Sequence, residues 1–345
     1  MSLQRRAFLL LCGLVLLAGG AASPSSSRRL RGAVGGCTGK TGRSPKLPPL
    51  GQRRSRQRIA FDDECVGPGV TGIDSIRLDG RGLRRLATGA SDPAVSPDRT
   101  KIAYSGEPSA GGGGIYVMRA DGTPVRWIDH EGNSVDTQPA WSPDRRKLVF
   151  VRSNGCPSCG TSVFQASLFT INSDGSGRRR LADEPQLVDN PGPSWIDSRH
   201  ILVTARLGGA WEFAIIDSHD GRVRREILPI LKFLGTQPPN APAALSPNRR
   251  ELAYAECDNG DCSSTSVVLI TLRGRLIQKI RGASDPAWSA QGDLLYSCRQ
   301  QAGIKGDTSR IMFAPAHGGA TRAITPRTLS ADQPQWLGLQ VRRSG

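Results

Sequence analysis

Apolar residues along most of this chain fall in runs of about five, bounded by Ser, Pro, Asp or Gly, which is the pattern of short strands joined by turns. The runs "KIAYS" from Lys101, "KLVFV" from Lys147, "ELAYA" from Glu251 and "DLLYS" from Asp293 each follow a turn signal. Before two of them that signal is Ser-Pro-Asp. Proline fixes φ at the first central position of a type I turn, and Asp tolerates the second. A second apolar run then ends in Asp-Gly, as in "IYVMRADG", "LFTINSDG" and "EFAIIDSHDG". Asp-Gly is a hairpin signal because both residues accept positive φ. A third run follows, such as "RRRLA" from Arg178. With the segment ahead of Ser-Pro-Asp, each unit holds four strands in meander order.

The unit repeats. Comparable segments centre on Val95, Trp141, Trp195, Leu245, Trp288 and Trp336, spaced by 46, 54, 50, 43 and 48 residues. Repeats of this length mean stacked supersecondary units that bury their faces only against one another. Four antiparallel strands per unit describe a β-propeller blade, so the fold class predicted is all-β, a six-bladed β-propeller. The large apolar residue at the Trp position is expected to fill the space between blades. The first strand, "RIAFDD" from Arg58, reads as the second strand of a blade that lacks its Trp-bearing strand. The last segment, "QPQWLGLQV", is a Trp-bearing strand with nothing after it. Pairing of this C-terminal strand with the N-terminal partial blade would close the ring and remove the exposed sheet edges.

The order Pro-x-Trp-Ser-Pro-Asp, strand, strand, Asp-Gly, Arg-Arg-Leu resembles the WD-type repeat of TolB-like six-bladed propellers. The resemblance covers about residues 58–341. It implies the fold, and it implies roles as different as periplasmic binding, lipoprotein domains and substrate gating in peptidases. The helical domain that precedes the propeller in TolB has no counterpart in this sequence.

Charge divides the chain. The net charge is +16, yet residues 1–58 hold twelve Lys/Arg and no acidic residue, and the rest carries 34 basic against 30 acidic side chains. The basic character belongs to a tail, so nucleic-acid binding by the body is not expected. Residues 1–22 read as an export signal: Arg5 and Arg6, an apolar run from Ala7 to Ala18, then small residues ending near Ala22. "RRAFLL" resembles a twin-arginine signal, and an ordinary secretory signal that happens to hold two arginines fits equally. Residues 23–57 read as a disordered basic linker whose charge could touch an anionic envelope surface. Residues 342–345 are a short tail. The stretch "GGCTGKTG" is not a phosphate-binding loop, because Val34 stands where its first glycine is required.

Little catalytic chemistry is legible. There is no Gly-x-Ser-x-Gly and no His-Glu-x-x-His, and His130, His200, His219 and His317 sit at strand ends or turns. The cysteines say more. Cys156 with Cys159, and Cys257 with Cys262, lie close together in loops between second and third strands. In an exported protein that placement favours local disulfides. Cys65 and Cys298, on blades that become neighbours when the ring closes, form the third expected pair, with Cys37 left over. A zinc site using both loop pairs would need non-adjacent blades to converge.

The residues singled out for binding are Asp92, Asp136, Asp189, Asp285 and Asp332, each shortly before a Trp-position strand segment, with Asn240 near the remaining one. Innermost strands line the channel, so a residue repeated at their starts is expected to ring one opening. Such a ring would favour a cation, either Ca²⁺ or a basic segment of a partner. Each Asp could equally cap the turn into its strand. The expected function is an exported, monomeric, non-enzymatic binding or scaffold propeller that recognises a protein segment or small ligand at the channel mouth, with envelope or secreted proteins as partners. The alternative is a propeller hydrolase or lyase acting on a sugar, lactone or peptide.

Overall fold

The structure is a computed structural model and describes residues 50–63, 71–106, 113–131, 134–154, 165–181, 186–187, 192–207, 210–224, 242–258, 264–300, 308–316, 320–327 and 329–338. The elements after a single helical turn, α1 (Gln52–Ser55), are strands. They run as β1 (Arg58–Asp63), β2 (Gly72–Arg77) and β3 (Arg84–Thr88); β4 (Ala90–Val95), β5 (Lys101–Gly106), β6 (Gly114–Arg119) and β7 (Val125–Asp129); β8 (Ser134–Trp141), β9 (Lys147–Asn154), β10 (Gln165–Asn172) and β11 (Arg179–Arg180). Next come β12 (Gln186–Leu187), β13 (Ser194–Trp195), β14 (His200–Leu207) and β15 (Ala210–Asp217); β16 (Ala244–Leu245), β17 (Glu251–Cys257), β18 (Thr265–Thr271) and β19 (Leu276–Arg281); and β20 (Ala283–Trp288), β21 (Leu294–Gln300), β22 (Thr308–Ala314), β23 (Arg322–Ala323) and β24 (Ala331–Gly338).

They form six antiparallel four-stranded sheets, the blades of a propeller. The first blade has the order β24-β1-β2-β3, so the C-terminal strand supplies the innermost position that the N-terminal part of the chain lacks. Blade four departs from the regular plan. Its innermost position is shared by two short strands, β12 and β13, both paired with β14. Among the described residues its outer edge is a single bridge between Ile216 and Val223.

Six apolar clusters hold the blades together, and each joins two neighbours. One unites Ile59, Phe61 and Trp336 of blade one with Leu295, Ile311 and Phe313 of blade six. Another packs Trp141, Leu148 and Phe150 of blade three against Ile115 and Val117 of blade two. Second strands are covered on both faces, which is why they read as continuous apolar runs rather than alternating ones. β5 is buried from its second residue onward. Outer strands meet solvent, and β3 and β19 are mostly exposed or half-buried. Full burial of one large side chain such as Phe150 contributes about 1.5–3 kcal/mol.

The turns explain the repeated punctuation. In each Ser-Pro turn the serine hydroxyl donates to the residue two positions on and accepts the next strand's first N–H. Ser142 Oγ lies 2.7 Å from Asp144 Oδ1 and 2.9 Å from Lys147 N. Ser96 and Asp98 do the same at 2.7 Å, and Ser246 and Asn248 at 2.7 Å. At the Asp-Gly turns only the glycine takes positive φ, for example Gly122 at 93° and Gly175 at 89°. The preceding Asp accepts a backbone N–H instead, as Asp174 Oδ1 does from Ser176 at 2.9 Å.

Part of the segment read as linker is structured. Arg54 of α1 reaches Asp293 at 3.0 Å and lies 6.0 Å from the centre of the Phe313 ring, while Leu50 packs against the cluster between blades six and one. Residues 1–49 and 339–345 lie outside the described residues, and with them the export signal, most of the linker and the tail.

Candidate functional site: the central channel

The innermost strands carry the same irregularity. Between Ser91 and Ala94, between Thr137 and Ala140, and between Ser284 and Ala287 the pairing register slips, forming a β-bulge. The residue just before the proline there is left-handed. Asp92 has φ 52°, Gln138 53°, Asp285 49°, Gln333 50° and, in blade four, Gly192 53°. A following proline disfavours the right-handed helical region, and a non-glycine residue in the left-handed one costs about 1–2 kcal/mol. Hydrogen bonds offset that cost.

These residues are linked around the channel. Asp92 accepts from Gln333 Nε2 at 3.0 Å, from the Ser105 hydroxyl at 2.9 Å and from Gln138 N at 3.3 Å. Gln138 Oε1 in turn accepts from Gly192 N at 3.0 Å. The N–H of Asp92 donates to Asp62 of the first blade at 3.4 Å. The Ser284 hydroxyl donates to Asp285 at 2.7 Å. Among the described residues the belt therefore ties blades one to four in sequence, through side chain and backbone.

A cavity of about 460 Å³ starts at this belt and runs along the second half of each innermost strand. Its wall is built from one proline per blade (Pro93, Pro139, Pro193, Pro242, Pro286 and Pro334) and from Trp141, Trp195, Trp288 and Trp336. The indoles are fixed. Each donates its N–H to a carbonyl of the preceding blade: Trp141 to Ala94 at 3.0 Å, Trp195 to Ala140 at 3.1 Å, Trp288 to Ala244 at 3.1 Å and Trp336 to Ala287 at 3.2 Å. Leu245 has no such donor, and there the Ser194 hydroxyl reaches across to Ala243 at 2.8 Å. Apolar, rigid walls with a few convergent polar groups are the usual make-up of a ligand site.

Of the five carboxylates expected at the channel, four are described, and they stand in different surroundings. Asp92 and Asp285 line the cavity. Asp136 is fully buried and pairs with Arg152 at 2.6 Å, beside Asp129 and Glu131. Asp332 stands opposite Asp62 in the pairing of β24 with β1 and is half-buried. Asp189 and Asn240 lie outside the described residues. The physical reason is register. Asp92 and Asp285 directly precede the proline, whereas Asp136 comes three residues before Pro139 and Asp332 two before Pro334. In a strand a shift of one position changes the face on which a side chain falls. The residues equivalent to Asp92 are Gln138 and Gln333, which reading for carboxylates missed. The dipeptides Gln-Pro and Asp-Pro were the available signal. Among the described residues no group of three or more metal-binding side chains comes together. The cavity also lies beyond the bulge, toward the strand ends, rather than at the strand starts.

Cys257 and Cys298 lie toward the ends of the second strands of blades five and six. Cys65, Cys156, Cys159 and Cys262 lie outside the described residues, so no pairing among the six is assigned.

Comparison with known proteins places the fold. The chain superimposes on TolB from Acinetobacter baumannii with a TM-score of 0.65 at 17% identity, over 84% of this chain and 68% of that one. It matches a chain of a nidogen/laminin complex with a TM-score of 0.58 at 12% identity, over 83% and 100% respectively. The fold is that of a TolB-like six-bladed propeller. No protein-family profile matches the sequence. Over 125 residues the chain is 32% identical to the uncharacterized peptidase YuxL of Bacillus subtilis (strain 168), which amounts to 34% of this chain and 17% of that protein. The chain thus spans under a fifth of the length of this curated relative.

Proposed function

We propose that this chain is an exported binding propeller that takes a segment of an envelope or secreted protein, or a small ligand, into its central channel. The observation that carries the reading is the cavity of about 460 Å³ with prolines and fixed indoles as its wall and a hydrogen-bonded polar belt at its inner end. Buried apolar walls supply affinity, and the belt supplies orientation. Export rests on the Arg5, Arg6 and apolar N-terminal pattern, by the twin-arginine or the general secretory route. Disulfides Cys156–Cys159, Cys257–Cys262 and Cys65–Cys298 belong to the same proposal, and non-reducing peptide mapping of secreted protein tests them.

The test is comparative co-purification from the exporting cell. Wild type and Gln335→Trp, which fills the cavity from its wall, are cross-linked and analysed by mass spectrometry. Partners held by the wild type and lost by the variant support channel binding. Partners held equally by both place binding elsewhere.

The likeness to a peptidase favours a second reading, in which the channel admits peptides to hydrolytic chemistry. Turnover of peptide p-nitroanilides by the purified chain would favour it over simple binding.

A further inference from the structure

Three blades share the turn Ser-Pro-Asp/Asn-Arg, and in each the arginine is left-handed: Arg99 at φ 62°, Arg145 at 67° and Arg249 at 56°. Two of these arginines reach back to the preceding blade. Arg145 pairs with Asp98 at 2.9 Å, and Arg249 donates to the Ile196 carbonyl at 2.6 Å. Arg99 does neither. Its guanidinium has no hydrogen bond or ion pair involving the described residues, it is half-buried, and it is the charged turn residue that lines the channel cavity.

The inner end of the cavity has the opposite character. Asp285, Gln333 and Asp92 stand on three successive blades, so two carboxylates flank an amide along one arc of the belt. Between that arc and Arg99 the wall is mixed, with Pro93, Val95, Trp288 and Trp336 beside Ser96 and Gln335. From Asp92 to Val95 the strand advances about 10 Å, at roughly 3.3 Å per residue.

We propose that the channel takes a ligand bearing a carboxylate, and that Arg99 is the group that holds it. The inference rests on the binding function proposed above and names its ligand class. A guanidinium beside apolar walls interacts more strongly with an anion than one in open water, and its planar fork matches a carboxylate with two parallel hydrogen bonds. The carboxylates at the belt repel an acidic group, so the acid faces the Arg99 end and the apolar body fills the space between. A short peptide segment ending in a free carboxylate has this chemistry, and so does a small aromatic acid.

The test uses the whole chain and a pooled library of tripeptides, each as free acid and as C-terminal amide, read by equilibrium dialysis with mass spectrometry. A second arm uses indole-3-propionate and its amide, which separates the small-acid source from the peptide source. The wild type should retain free acids over amides by roughly tenfold, the value of one charge-assisted hydrogen-bonded pair. Arg99→Gln should abolish that preference, Arg99→Lys should keep part of it, and Arg145→Gln should leave it unchanged. Matching thermal melts of wild type and Arg99→Gln show that folding is not the cause. Equal retention of acids and amides by the wild type, or a preference that survives Arg99→Gln, overturns the assignment while leaving channel binding intact. If the wild type retains no probe in either arm, both the assignment and the binding reading fall.

Discussion

Arg152 Nε donates to Asp136 Oδ1 at 2.6 Å, with both side chains buried. The guanidinium also reaches Asp136 Oδ2 at 2.7 Å, Asp129 Oδ2 at 2.8 Å and the Glu131 carboxylate, and it lies over the rings of Phe150 and Phe169 at 5.6 and 4.8 Å. Asp129 belongs to blade two and Arg152 to blade three, so the network staples the two blades. Removing one member of a buried ion-pair network leaves uncompensated charge and costs about 3–5 kcal/mol. Asp136→Ala is expected to lose stability of that order in urea denaturation at pH 7, with ligand affinity of the folded fraction unchanged. A variant as stable as the wild type would show the network to be inessential.

The left-handed belt positions make a second prediction. Gln138 sits at φ 53°, in register with Gly192 of the next blade. Gln138→Gly relieves the backbone and loses the hydrogen bond from Gly192, two effects of about 1 kcal/mol each and opposite sign. It should be near neutral in thermal melting. Gln138→Val adds a β-branched side chain where φ is positive and should be less stable than the glycine variant by roughly 2 kcal/mol. Equal melting temperatures for the two variants would show that the strand leaves this conformation readily.

Acid sensitivity should centre on Asp217. Burial alone would raise its carboxyl, but hydrogen bonds from Arg199, the backbone of His219 and Arg224 outweigh that and hold it well below the usual carboxylate range. A carboxyl depressed by folding contributes stability that is fully present above its unfolded value, near 4, and is lost as pH falls toward the folded value. The expected result is a urea midpoint that drops between pH 5 and pH 2. In Asp217→Asn the midpoint should start lower at pH 7 and fall less over the same range. An identical pH slope in both proteins would assign the acid sensitivity to other carboxylates.

Blade number, strand order and turn chemistry were legible in the sequence because each follows from local rules. Trp141, Trp195, Trp288 and Trp336 recur at blade spacing, and the Ser-Pro and Asp-Gly turns mark the ends of apolar runs. The pairing of β24 with β1 was also legible, since the Arg58 run lacks a Trp-bearing strand before it and the Trp336 segment is such a strand. The site was legible only in part. Asp92, Asp136, Asp285 and Asp332 all precede a proline by one to three residues, and that small difference sends two to the cavity wall, one into a buried ion pair and one to the pairing with β1. What decided it was the β-bulge, which is a property of two paired strands. Arg99 likewise looks identical to Arg145 in sequence, and only the ring geometry gives Arg145 a carboxylate in the preceding blade and leaves Arg99 facing the channel. The sequence by itself determined the repeating unit, because propensity and turn preference act over a few residues. The tertiary structure decided which side chains meet at the centre, because that depends on register and on which blade comes before.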